Sequence, residues 1–133
     1  MNILFVCKFN RFRSKVAEGF FNKYNKNQAN KAKSAGIIIG SPVSEEIKES
    51  AREFGLKING KLYGLSTDLL KWQEMTVIVA SDVPEEIFKE NNTHGKKLVV
   101  WKIDDTPNDK KEVMRQIISE IEARVKMLIK ELS

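Results

Sequence analysis

Apolar runs with the look of buried strands alternate with helical periods along this chain, and that alternation leaves few architectures open. Asn2 to Cys7 is a short continuous apolar run, the pattern of a strand covered on both faces. From Ser14, residues Val16, Ala17, Phe20, Phe21 and Tyr24 recur at helical spacing, ending near residues 25–27. Lys31 to Ala35 is a weak second strand halted by Gly36. Gly40-Ser41-Pro42 then opens a helix with Val43, Ile47, Ala51 and Phe54 inward and Gly55 as its C-cap. After a connection over 56–66, Ser66 caps a short helix from Thr67 to Gln73. Met75 to Ala80 is the clearest strand, and Ser81-Asp82-Val83-Pro84 starts another short helix that runs through Asn91. Lys97 to Ile103 is the last strand. An acidic turn leads into a final helix from about Asp109 to Leu132, with Val113, Ile117, Ile121, Val125, Leu128 and Leu132 inward.

Strands that alternate with helices imply right-handed crossovers and a parallel sheet, so the predicted class is α/β. A chain of 133 residues fits one domain, expected to span 1–133. Sheets of this kind open their sites beyond the carboxyl ends of the strands. Cys7 ends the first strand and Asp104-Asp105 follow the last, so both fall on the same edge.

Composition narrows the function classes. The chain is 41% hydrophobic and 31% charged, a globular balance. No apolar stretch approaches the ~18 residues of a membrane span, so no membrane partner is expected. The net charge is +5, but the lysines are scattered among glutamates and accompany no nucleic-acid motif. No nucleic-acid partner is expected either. One cysteine makes no internal disulfide, which points to a reducing cytoplasm. His94 lies in a turn signature without a second ligand nearby, and neither a metal nor another cofactor is expected.

The chemistry concentrates in Cys7-Lys8-Phe9-Asn10-Arg11-Phe12-Arg13-Ser14. A Cys-x5-Arg loop between a strand and a helix can curl so that its N–H groups converge with the helix N-terminus on an anion. The same positive field favours a thiolate. Arg13 can clamp two phosphoryl oxygens, a bidentate contact that lysine cannot make. Ser14 can hydrogen-bond the sulfur. Attack on phosphorus by Cys7 expels an oxyanion that needs a proton, and Asp104 or Asp105 is placed to supply it. A water activated by the same aspartate would then hydrolyse the thiophosphate.

With these residues in view, the chain resembles the low-molecular-weight protein tyrosine phosphatase family, which includes a branch of arsenate reductases. The likeness spans nearly the whole length: the strand into Cys-x5-Arg-Ser with Asn10 inside it, Ser34-Ala35-Gly36 after the first helix, and the acidic loop before the last. It implies a three-layer domain whose four parallel strands run in the order 2-1-3-4, with helices on both faces. It also implies Cys7 as nucleophile, Arg13 as clamp, and a phosphate-binding loop of Lys8, Phe9, Asn10, Arg11, Phe12 and Ser14. Asn10 and Ser14 would organise that loop, with Ser34 supporting Asn10. Alignment on Trp101 and Ile103 makes Asp105 the general acid, with Asp104 as the alternative.

Several positions depart from the family pattern. Phe9 replaces a glycine whose tight approach or positive φ a bulky residue resists. Phe12 replaces the second loop cysteine of many relatives, and Lys15 replaces a common proline. Thr106 stands where a proline usually follows the acid, and Asn108 or Asp109 is placed to cap the final helix. Ile37, Ile38 and Ile39 follow Gly36 where relatives carry aromatic walls. The leading expectation is a phosphatase that acts on a phosphorylated protein or small phosphomonoester and releases phosphate. Two alternatives remain: a non-catalytic oxyanion-binding module, and an arsenate reductase that draws on an external thiol.

Overall fold

Four consecutive side chains of the first strand, Ile3, Leu4, Phe5 and Val6, are fully buried in the computed structural model, which describes residues 1–133 apart from the side chain of Pro107. A strand buried on both faces must be central. Indeed β1 (Asn2–Cys7) pairs in parallel with β2 (Lys31–Gly36) on one side and β3 (Met75–Val79) on the other. Beyond β3 lies β4 (Lys97–Trp101), giving the order β2-β1-β3-β4. This is the parallel α/β sheet expected, in the expected order.

Because side chains alternate along a strand, β1 feeds two separate cores. Ile3 and Phe5 point to one face, packing with Val77, Val79 and Trp101 beneath α1 (Arg13–Tyr24), α2 (Glu45–Glu53) and α5 (Lys111–Leu132). Phe5 is the hub there, with ring centroids 6.0 Å from both Phe21 and Trp101. Leu4 and Val6 point to the other face, where Ala35, Ile78, Val83 and Phe88 pack with Leu69 and Leu70 of α3 (Thr67–Trp72). The helix starts follow capping chemistry. Ser44 Oγ accepts from Ile47 N at 3.2 Å and Ser66 Oγ from Leu69 N at 3.1 Å. Gly55 (φ +78°) ends α2 in the left-handed region.

Four predicted elements differ. The helix expected to open at Gly40-Ser41-Pro42 begins at Glu45 behind the Ser44 cap, so Val43 packs into the core ahead of it. The helix expected through Asn91 divides into a 3₁₀ turn (Glu85–Phe88) and α4 (Glu90–Thr93). There the Asn91 amide bonds Gln73 Oε1 and Lys97 O instead of facing solvent. The last strand stops at Trp101, where its partner β3 also ends, and Ile103 N turns back to Trp101 O. The final helix starts at Lys111, not Asp109, because Asn108 (φ +62°) and Asp109 (φ +46°) are left-handed. Its buried face carries Met114 and Ile118 beside Ile117, Ile121, Val125 and Leu128, with Val113 only half-buried. Among the described residues, no helix is long and apolar enough to cross a membrane.

Deleting the Phe5 ring removes contacts in the middle of the larger core. Phe5→Ala is expected to cost about 3–5 kcal/mol, read as a lower urea midpoint with unchanged slope.

Candidate active site

The carboxyl ends of β1, β3 and β4 meet at one edge, and each continues into a segment that carries a charged or nucleophilic group. Cys7 is the last residue of β1 and is 2% exposed. The chain then turns through residues 8–12 into α1, whose first residue is Arg13. Within this loop Asn10 is left-handed (φ +56°), a conformation that asparagine adopts more readily than most residues.

That turn aims donors at the sulfur. Asn10 N–H donates to Cys7 Sγ at 3.3 Å, and Ser14 Oγ lies 3.0 Å from Sγ. Asn10 Nδ2 donates to Ser14 Oγ at 2.8 Å, which leaves the serine's own hydrogen to point at sulfur. The same Nδ2 donates to Ser34 Oγ at 3.0 Å, and Ser34 Oγ donates to Glu18 Oε1 at 2.6 Å. Asn10 Oδ1 accepts from Tyr63 N at 2.9 Å. The amide of Asn10 thus joins the loop, the end of β2 and the segment before α3. Ser34, which the family resemblance set beside Asn10, lies within hydrogen-bond distance of its amide.

Arg13 is 1% exposed, and its guanidinium is held by Ile103 O (2.8 Å from Nη1) and Asp82 Oδ1 (3.0 Å from Nη2). Asp105 Oδ2 lies 3.7 Å from Nη2, and its other oxygen accepts from Thr106 N at 2.9 Å. Ile103 O and Asp82 use two of the five guanidinium donors. Asp104, by contrast, is exposed and accepts from Ser81 Oγ at 2.5 Å. Of the two acidic candidates, Asp105 is the one that approaches Arg13.

Asp82 was missed by sequence reasoning, which took Ser81-Asp82 as a helix start. The signal was available, because the strand-end rule that singled out Cys7 and Asp105 also applies to β3. A second surprise is Asp109. It caps nothing; its carboxylate takes a fork from Arg11 (Nη1 to Oδ1 3.0 Å, Nη2 to Oδ2 2.9 Å) and a bond from Ser44 Oγ at 2.8 Å. The Arg11 side chain therefore faces Asp109 rather than the loop interior. The Arg11 hydrogen bonds hold the Asp109 carboxyl below the usual aspartate range, against the opposing effect of burial. The resulting stabilisation is complete above that range and is lost as pH falls through the depressed value.

The bulky loop residues also find their places. Phe12 is 1% exposed and belongs to the larger core. Phe9 has no positive φ; the room it needs comes from other residues. A Cβ on Gly36 would lie 2.6 Å from Phe9 C, and one on Gly40 would lie 2.4 Å from Phe9 Cδ1. Lys8 Nζ is 5.2 Å from the Phe9 ring centroid. Lys15 is buried, and its Nζ donates to Lys61 O at 2.5 Å beside the Tyr63 ring. Burial pushes the Lys15 ammonium below its ordinary pKa.

With this geometry in hand, comparison with known proteins is decisive on family. The model of the low molecular weight phosphotyrosine protein phosphatases matches residues 2–133. The chain belongs to that family. No curated protein matches the sequence significantly. Among solved structures, the low molecular weight protein tyrosine phosphatase from T. tengcongensis superposes with a TM-score of 0.82 at 27% identity. That match covers 98% of this chain and 99% of the other. An arsenate reductase from Archaeoglobus fulgidus matches at 29% identity and a TM-score of 0.75, covering 96% of this chain and 98% of that one. The YwlE arginine phosphatase from Geobacillus stearothermophilus shares the fold at 24% identity, with a TM-score of 0.83 and coverage of 98% and 92%.

The Gly36 and Gly40 contacts separate two kinds of crowding. Gly36→Ala must displace loop backbone and is expected to weaken inorganic phosphate binding about tenfold by calorimetry, a cost in the range of overpacking. Gly40→Ala meets only a ring that can turn, and should change phosphate affinity less than about twofold.

Proposed function

We propose that this chain is a cysteine-dependent phosphatase that hydrolyses a phosphomonoester of the phosphotyrosine type through a phosphocysteine intermediate. The observation that carries the proposal is the meeting of three strand ends: donors aimed at Cys7 Sγ, Arg13 anchored by Asp82, and Asp105 3.7 Å from the same guanidinium. Cys7 attacks phosphorus as the thiolate, forming the S–P bond as the P–O bond breaks. Asp105 gives its proton to the leaving oxygen. Arg13 and the loop N–H groups bind the equatorial oxygens as charge builds on them. In the second step Asp105 takes a proton from water, which attacks phosphorus and returns the electron pair of the S–P bond to Cys7. Phosphate is the product.

Asp82 and Ile103 O orient Arg13, so that the clamp enters the reaction already in position. Exposed Ile38 and Ile39 flank the loop that carries Phe9, and an aliphatic wall accepts a phenyl ring while selecting weakly for it. The substrate is a phosphorylated protein or a small phosphomonoester met in the cytoplasm. Arsenate reduction is a second reading, favoured by the likeness to the Archaeoglobus fulgidus arsenate reductase. Cys7 is the chain's one cysteine, so an external thiol would have to supply the electrons.

Hydrolysis of p-nitrophenyl phosphate near pH 5–6 tests the assignment. Wild type should turn over, Cys7→Ser should not, and Asp105→Asn should lower kcat about 10²–10³-fold while Asp104→Ala leaves it near wild type. Phosphate binding without turnover would instead mark a non-catalytic module. Arsenate turnover that depends on added small thiol would favour the second reading.

Disturbing the Arg13 anchor gives a separate expectation. Asp82→Asn should lower kcat/KM for the same ester about 10- to 100-fold, the scale of a misplaced catalytic group.

A further inference from the structure

The Arg11–Asp109 fork links the phosphate loop to the loop that carries Asp105. Asp109 lies four residues beyond Asp105, and three ties reach it or its partner: both Arg11 nitrogens at 2.9–3.0 Å, Ser44 Oγ at 2.8 Å, and Arg11 Nε to Pro42 O at 3.3 Å. The pair is largely covered, with side-chain exposures of 15% and 17%. Asp105 itself is lightly held. Its contacts are a bond from the adjacent Thr106 N–H and the 3.7 Å approach to Arg13.

The backbone between them needs outside support. Asn108 and Asp109 are consecutive left-handed residues without a glycine, a conformation that persists only where surrounding contacts over-determine it. The side chain of Asp109 supplies those contacts, and it does so in preference to capping α5, which begins without a side-chain cap. Arg11 in turn is committed to Asp109. Its planar fork fills both carboxylate oxygens, a match that neither lysine nor a neutral residue reproduces.

We infer that Arg11 and Asp109 are positioning residues for the general acid, a clamp that holds Asp105 over the leaving oxygen. The inference rests on the phosphatase reading above. Neither residue touches the reacting atoms; both act through the placement of Asp105. Loosening the clamp leaves Cys7, Arg13 and the loop amides in place and degrades proton delivery alone.

Proton delivery has its own kinetic signature. An ester with a good leaving group departs without a proton, whereas a poor one needs it. The value of kcat/KM reports only the steps through release of that group, before Asp105 acts again as base. Phenyl phosphate and 2,4-dinitrophenyl phosphate therefore make the test, with wild type, Arg11→Gln, Asp109→Asn, Arg11→Lys and the Arg11→Gln/Asp109→Asn double variant. Asp109→Asn should lose about tenfold in kcat/KM on phenyl phosphate and less than about twofold on the dinitrophenyl ester, and Arg11→Gln should show the same tenfold loss on phenyl phosphate. The double variant should match the singles, because one clamp is broken only once. Arg11→Lys should fall between wild type and Arg11→Gln on phenyl phosphate. Equal losses on both esters, or a double variant worse by the product of the singles, would overturn the clamp while leaving the phosphatase reading standing. No turnover of either ester by wild type would remove the phosphatase reading and the clamp with it.

Discussion

One buried side-chain amide, that of Asn10, holds the carboxyl edge of the sheet together. It is fully buried, and both of its ends are engaged: Nδ2 with Ser14 and Ser34, Oδ1 with the Tyr63 N–H. A buried hydrogen bond contributes only about 1 kcal/mol net, but an orphaned partner costs more. The larger effect is geometric. The left-handed backbone of Asn10 directs its N–H to Cys7 Sγ, and its side chain settles which way the Ser14 hydroxyl points. β1, β2, α1 and the segment before α3 are therefore brought into register by a single residue.

Two buried cations flank this arrangement, and they are balanced differently. Arg13 faces carboxylates, Asp82 at 3.0 Å and Asp105 at 3.7 Å, and also donates to the Ile103 carbonyl. A buried charge of this kind is tolerated only when paired and hydrogen-bonded. Lys15, the first turn of the same helix further on, has neutral partners: Lys61 O, Asn59 Oδ1 and the Tyr63 ring. It fastens the segment that meets the Asn10 amide, so the residue standing in the family's usual proline position braces the loop from behind.

Much of this was legible in the sequence because it depends on local rules. The continuous run of β1, the Cys-x5-Arg spacing and the Ser66 cap each follow from neighbours a few residues apart. The sheet order came through the family resemblance. What escaped depends on pairs distant in sequence. Asp82 meets Arg13 across 69 positions, being 82 less 13, and Asp109 meets Arg11 across 98. Local pattern makes Asp109 a good helix cap; only the approach of Arg11 and Ser44 explains why it serves otherwise. In the short helix after β3, the Asn91 amide likewise reaches Gln73 Oε1, 18 positions away, a partner that its own segment does not announce.

The placement of Phe9 reaches beyond its own loop. Room for its ring is left by Gly40, while Gly36 admits the backbone of Phe9 and Asn10 against the end of β2. The three residues form one steric unit divided between two stretches of chain. Grafting the family's usual loop onto this scaffold would leave a hollow above Gly40, and grafting this loop onto a relative would bring the Phe9 ring against whatever side chain stands at the place of Gly40. Chimeras among these proteins must carry the two stretches as a single cassette.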